Sequence, residues 1–590
     1  MKHQYVLTAL VGAALACGGD DPADPNPAAP TGVAVEPHDA FNTISWHTVT
    51  GADRYHLYWS TAPGVTIATG THVADVTSPY DHTGLTNGTK YYYVVTAANA
   101  VGESSASTEV SATPLPNAVP AASAGPDQSV GTAVTVTLDG SGSSDADGDP
   151  LTYAWAQVSG PTVSMSNPTA AQPTIRTPRR LTTLQFSLTV SDAVATSPSD
   201  AVTIVIDRFT PVPIASDVAT GNSDTETPGK LASVAVGQNA LFVSCRLVGT
   251  PLGLFGTLVD TSGAVLQTIP ISSHNCDFPR PSIARDGSGF VVVFQRDGQI
   301  VATRLSPAYS VVGEAVISAG GSNGSPVVAA GGGGYFVAWN SYRGTDYDIY
   351  GAKIAADGQA AAEQPVFTHA GEQVAPAIAF DGVNFLVVWR DTRSGSGPSD
   401  DTDIYGTRVS TAGTVLDPAG IAITTAPHIQ GEPDLTFDGT NYLAVWPDAR
   451  RYPSQTQPPF DVFGTRISPA GALLDGTASA GGIAICTAAV APAINFYPSA
   501  TFDGTNFLVV FAAFGFDPPA GVYLARVSRD GMLLDRPPSD LGTAIGRPSA
   551  YARLVYPVVV ATSFRTVVAW VDNTELGLAL KDIVGVVMEP

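Results

Sequence analysis

One stretch, FDGTNYLAVWPDAR at residues 437–450, limits what this chain can fold into more than any other, because it returns. FDGVNFLVVWRDTR starts at Phe380 and FDGTNFLVVF at Phe502. Looser copies are RDGSGFVVVF from Arg285, GGGGYFVAWN from Gly331, VGQNALFVSC from Val236 and TSFRTVVAWVDN from Thr562. A chain that repeats itself folds as repeated units, so the unit has to be read first.

Each copy follows one grammar. A Pro opens a short strand, as in APAIAF from Ala375. An Asp-Gly turn at Asp286, Asp381, Asp438 or Asp503 leads into an apolar strand such as NFLVVW from Asn384. A variable loop precedes a third strand: DIYGAKI from Asp348, DIYGTRV from Asp403 or DVFGTRI from Asp461. A Gly-centred turn then leads to a weaker fourth strand, such as VLDPAGIAIT from Val415. Four short strands with turn signals, recurring every roughly 45–65 residues, are the pattern of a β-propeller blade.

The apolar strand occurs around Phe242, Val292, Phe336, Leu386, Leu443, Leu508 and Val568, which makes seven blades. The last copy stops after its third strand, DIVGVVM from Asp582. PVPIASDVAT at 211–220 has the fourth-strand pattern and no blade of its own. That segment is expected to supply the missing outer strand of the last blade, so that no sheet edge is left at the seam. Trp339, Trp389, Trp446 and Trp570 hold one equivalent position, filled by Phe294, Phe511 and Cys245 in other copies. A feature of nearly every blade reads as inter-blade packing. Likewise Asp348, Asp403, Asp461 and Asp582 are expected to fix their turns through side-chain to backbone bonds.

Two further β modules precede the repeats. At 29–115, TISWHTV places Ile44 and Trp46 on one strand face. With GLTNGTKYYYVVTAANAVGES downstream, the segment resembles a fibronectin type III domain. Trp46 matches that family's core tryptophan, and the run from Leu85 to Tyr91 matches its tyrosine corner. The resemblance implies a spacer or adhesion module; Trp59 is expected to pack on the sheet rather than to stack on a sugar. At 116–207, AGPDQSV, LDGSGSSDADGDPLTYAW and LQFSLTVSDAV resemble the polycystic-kidney-disease-type (PKD-like) β-sandwich, with Trp155 and Tyr153 on a core strand. Asp145, Asp147 and Asp149 are three carboxylates at alternate positions around a glycine turn. Such an oxygen-rich loop suits calcium; the alternative is an acidic hairpin turn that only satisfies its own backbone.

The N-terminus MKHQYVLTALVGAALAC carries one Lys, then an apolar run too short to span a membrane. With Cys17 at its end it resembles a bacterial lipoprotein signal, residues 1–17, although Ala14 stands where that family most often has Leu. The resemblance implies a lipidated Cys17, a flexible tether at 18–28 and attachment to the outer membrane or cell surface. The alternative is an ordinary secretory signal and a secreted protein. The expected whole is therefore all-β: two N-terminal β-sandwiches, then a seven-bladed β-propeller at 208–590 closed by an N-terminal strand.

Net charge is −24 over 590 residues, which argues against nucleic-acid partners. A monomer is expected. There is no zinc-type His pair, no nucleophile elbow and no phosphate-cradling loop. Cys245 and Cys276 form the nearest cysteine pair for a bridge. Binding should sit where blades differ, on the long second-to-third loops. Asp391, Arg393, Asp448, Arg450, Arg451 and Tyr452 lie there as candidates, although the Asp–Arg pairs could instead brace their loops. Two functions stay open. One is an anchored binding, adhesion or scaffolding protein for a surface protein or polysaccharide. The other is a glycoside hydrolase or polysaccharide lyase with accessory sandwiches.

Overall fold

The computed structural model describes residues 26–219, 231–246, 253–274, 280–393, 401–452, 459–487, 494–514, 521–535, 543–546, 556–572 and 580–589. Every regular element among them is a strand.

In the first module a three-stranded sheet (Ala34–His38, Phe41–Ser45, Tyr80–Thr83) accompanies a four-stranded one (Thr71–Val76, Arg54–Ser60, Tyr91–Ala98, Val110–Ala112). Ile44, Trp46, Leu57, Tyr93 and Val95 form the core between them. The Thr86 amide donates to the Tyr91 hydroxyl at 3.1 Å, which closes the tyrosine corner. Trp59 lies half-buried against His82 and Tyr91. The tether expected to run free to residue 28 ends sooner. Pro27 is buried, and Asn26 Nδ2 donates to the Glu103 carbonyl at 3.3 Å.

The second module pairs Thr152–Ser159, Thr182–Ser191, Asp200–Arg208 and Gln128–Gly131, the last two strands running parallel. A short sheet of Thr135–Thr137 and Thr174–Arg176 covers the other side of a core built on Trp155, Phe186 and Leu188.

Seven four-stranded antiparallel blades follow among the described residues; five are separate sheets, and the first and seventh are joined into one eight-stranded sheet where Val218 pairs with Arg246. Their first strands are Ala232–Val236, Ser282–Asp286, Ser322–Gly331, Gln373–Phe380, Asp434–Phe437, Ile494–Phe502 and Val558–Ala561. Each packs beside the next, and the seventh beside the first, so the first strands form a closed inner ring. The outer strand of the seventh blade is Val212–Ala219, antiparallel to Leu580–Met588, with Val212 opposite Gly585 and Ala219 opposite Leu580. The segment ahead of the repeats therefore knits the seam.

The recurring residues have separable jobs. Trp339, Trp389, Trp446 and Trp570 are fully buried among the blades. The Asp381, Asp438 and Asp503 carboxylates each accept two turn amides at 2.7 Å, which fixes the hairpins. Of the third-strand aspartates, Asp348 accepts the His369 amide at 3.2 Å. The glycine inside the third strands of the fourth and fifth blades is required by close approach. A Cβ on Gly406 or Gly464 would stand 2.9 Å from the carbonyl of Val387 or Ala444 on the neighbouring strand.

A third-strand Arg also pairs with an Asp beyond the following turn: Arg408 with Asp417 at 2.8 Å and Arg466 with Asp475 at 2.6 Å. Hydrogen bonds from Arg408 come first in holding the Asp417 carboxyl below its ordinary range. A carboxyl with a lowered folded pKa stabilises fully above its unfolded value, near 4, and loses that contribution as pH falls through the folded value. The propeller's melting temperature is therefore expected to fall below about pH 4. Arg408→Ala should flatten that fall in scanning calorimetry; an unchanged acid slope would refute the assignment.

Candidate functional site

Six blades carry a residue followed by Pro just before or within the first four residues of the first strand: Arg280, Ser325, Ala375, Glu432, Tyr497 and Tyr556. Proline keeps the residue before it out of helical geometry and gives no ladder N–H of its own. In three blades the ladder slips there, and Ser325, Ala375 and Tyr497 take φ of +48°, +52° and +54°. Bulges of this kind re-aim a side chain. Because first strands start on the blade-crossing side, this ring of six lies on the same face as the long second-to-third loops.

Inside the ring of first strands is an axial cavity of about 380 Å³, lined by segments of all seven blades. Most of the lining is small: Ala232, Ser282, Ala377, Ser499 and Thr501 among others. Its charged residues are Arg280, Glu432 and Asp434. Arg280 of the second blade reaches Glu432 of the fifth, Nη1 donating to Oε1 at 2.9 Å and to Oε2 at 3.0 Å. Their side chains are 14% and 25% exposed, so the pair works in a partly dry site where charge attraction is strong. Burial alone would lower the Arg280 pKa; the Glu432 carboxylate overcomes this and keeps it above the ordinary value. Arg280 also stands 5.9 Å from the ring centre of buried Tyr556, which contacts Tyr497 with ring centres 3.8 Å apart. Burial pushes both phenols upward, so both stay neutral. Asp434 Oδ2 accepts the Ala500 amide of the sixth blade at 2.9 Å.

The six residues singled out from the sequence lie elsewhere on that face, four of them joined as the pairs Asp391–Arg393 and Asp448–Arg450. Asp391 is fully buried; it accepts the Trp389 indole at 2.8 Å and the Arg393 guanidinium at 2.6 and 2.9 Å. Arg393 lies on the Tyr405 ring at 3.7 Å. Asp448 repeats the arrangement with Trp446 and Arg450 at the same three distances. Arg451 and Tyr452 both turn to buried Asp461, at 3.4 and 3.2 Å. These bonds tie each loop to its own blade, as one of the two roles their spacing allows would require. The loop segments 394–400, 453–458 and 515–520 lie outside the described residues.

The nearest carboxylate oxygens of Asp145, Asp147 and Asp149 lie within 4.8 Å of one another. Two of the three also hold backbone: Asp145 Oδ1 accepts the Asp147 amide at 2.8 Å, and Asp147 Oδ2 the Ala118 amide at 2.6 Å. Cys17 and Cys276 lie outside the described residues; Cys245 is disulfide-bonded. Arg280, Glu432, Tyr497 and Tyr556 were missed from the sequence. The signal that finds them is the one position before the strand-opening Pro, where otherwise uniform copies carry Arg, Ser, Ala, Glu, Tyr and Tyr.

Residues 124–206 match a family model described as a PKD domain. An Fn3-like protein from Clostridium thermocellum is 33% identical, over 14% of this chain and 90% of that one, with a TM-score of 0.13. A nucleoside hydrolase-related protein from Saccharophagus degradans, associated with carbohydrate metabolism, is 25% identical over 16% of this chain (TM-score 0.14); the match spans only 26% of that protein's length. The alpha-L-arabinanase of Cellvibrio cellulosa is 12% identical over 45% of this chain and 98% of that one, with a TM-score of 0.30. At these TM-scores the likenesses carry no argument about activity. No curated protein matches the chain.

Proposed function

We propose that this is a lipid-anchored binding protein of a bacterial cell envelope, whose propeller offers its loop-bearing face and axial mouth to a glycan or a surface protein. The observation that carries this reading is that the carboxylates lining the axial cavity are engaged. Glu432 is paired with Arg280, and Asp434 holds the Ala500 amide. Glycoside hydrolysis needs two carboxyls free to face the scissile bond, one of them protonated. An ion-paired Glu432 meets neither condition, whereas a rigid Arg–Glu pair beside Ser and Thr hydroxyls suits recognition of a neutral sugar. A second reading has an observation in its favour as well: Glu432, Asp434 and Arg280 share one cavity, so a substrate that drew Arg280 away would leave a carboxylate pair for a hydrolase or lyase.

In this proposal Cys17 carries the lipid, and the two sandwiches space the propeller from the membrane. Calcium belongs to the proposal only through Asp145, Asp147 and Asp149. The test is a glycan-array and cell-surface screen of the intact protein, with and without calcium, beside an assay for newly released reducing ends. Binding without turnover is expected, weakened at least tenfold by Arg280→Ala. Reducing-end release that disappears in Glu432→Gln would establish the hydrolase instead. Mass spectrometry of the mature N-terminus checks the anchor, and an unmodified Cys17 would rule it out.

A further inference from the structure

Arginine and lysine are scarce in this chain, 28 in 590 residues, yet four arginines line one cleft. Arg176, Arg179 and Arg180 lie at and just beyond the strand Thr174–Arg176 of the second sandwich. Arg565 comes from the hairpin turn of the seventh blade. The cleft between them has a volume of about 730 Å³ and holds one carboxylate, Glu589.

Two of the four arginines build the junction. Arg179 Nη2 donates to the Ser262 carbonyl at 2.6 Å, and the Arg179 carbonyl accepts the Glu589 amide at 3.1 Å. Arg565 pairs with Glu589 at 2.8 Å. That leaves Arg176 and Arg180, both exposed, whose side chains make no hydrogen bond or ion pair among the described residues. The remaining positive charge is unbalanced: after burial, repulsion from Arg176 and then Arg565 lowers the Arg179 pKa. In a protein of net charge −24, a local excess of guanidinium groups has no role in solubility and costs self-repulsion.

We propose that this cleft binds a carboxylate-bearing polysaccharide segment, a run of uronic acid units, across the junction of the second sandwich and the seventh blade. A guanidinium meets a carboxylate through two parallel N–H donors, so two unpaired arginines supply two such forks. The exposed Thr162 hydroxyl is available to sugar hydroxyls. Among the described residues no aromatic side chain lines the cleft, which removes the stacking platform that single-stranded nucleic acid needs. The site is separate from the axial cavity and stands or falls independently of it.

The test is isothermal titration of the intact protein with hexagalacturonate at about 50 mM salt, where charge pairing is weakly screened. A neutral dextran hexamer, inorganic phosphate and a short single-stranded oligonucleotide serve as comparison probes. The expected result is saturable hexagalacturonate binding that weakens as salt rises and falls at least tenfold in Arg176→Ala/Arg180→Ala, with dextran silent. Because both side chains lack partners among the described residues, the double variant should melt with the parent, which circular dichroism checks. No binding, unchanged binding in the double variant, or tighter binding of phosphate or the oligonucleotide would overturn the proposal.

Discussion

Ile214→Asp is expected to unfold the propeller at a temperature lower by on the order of 10 °C while leaving the two sandwiches as they are. Ile214 is 3% exposed and belongs to the strand that closes the seventh blade. It packs in one cluster with Val567, Ala569 and Val587 of that blade and with Leu231, Ala240 and Phe242 at the first. It also fills the space left by Gly585, where a Cβ would collide with it. Truncating a buried Ile costs about 2–5 kcal/mol, and an unpaired carboxylate in the same place costs more. Loss of this strand would also bare the edge of Leu580–Met588, so self-association should accompany the loss of stability. Val205→Asp, on an exposed site of the second sandwich, is the matched control. Calorimetry should show the propeller transition moved in the first variant only, and light scattering should show oligomers. A propeller transition that stayed with the parent's would mean that residues 212–219 do not hold the ring shut.

That seam was legible because a repeat makes omissions visible: a seventh copy lacking one strand, and an orphan strand before the first copy. Packing roles were legible for the same reason. A Trp that recurs at 339, 389, 446 and 570 has to serve every blade alike, and all four are buried. The axial mouth was hidden by the same regularity. Arg280 and Glu432 are 152 residues apart and meet only once the ring closes, so no local spacing announces them. The Asp391–Arg393 and Asp448–Arg450 pairs were visible as pairs. Their spacing alone could not separate a brace from a binding site, because that depends on burial. Pro27 shows the reverse error: a composition poor in apolar residues reads as tether, yet one proline finds a buried place on the adjoining sandwich.

Burial is what makes Asp448, like its counterpart Asp391, costly to remove from the loop-bearing face. It is fully buried and accepts four hydrogen bonds, from the Trp446 indole and from the Arg450 amide, Nε and Nη2, at 2.6–2.9 Å. Asp448→Ala would leave that indole unsatisfied and strand a guanidinium whose side chain is only 13% exposed, over the Phe463 ring. Breaking one side of such a pair costs about 3–5 kcal/mol. Asp448→Asn keeps the volume and one acceptor, so it should cost less, about 1.5–3 kcal/mol. Asp448→Ala with Arg450→Met removes both charges and should fall well short of the summed single effects. The third blade supports this, since it builds the brace from other residues. There Trp339 donates to Asn323 at 3.1 Å, Arg343 donates to Ser341 at 2.9 Å, and Arg343 takes Glu363 as its ion-pair partner. The same scaffold is thus met without a buried aspartate beside the Trp, as expected if the task is holding a loop. Urea unfolding measures the three variants, and the glycan screen reports ligand affinity below their melting temperatures. Stability lost with affinity kept is the outcome a brace requires. Stability kept with affinity lost would return Asp448 and Arg450 to the ligand.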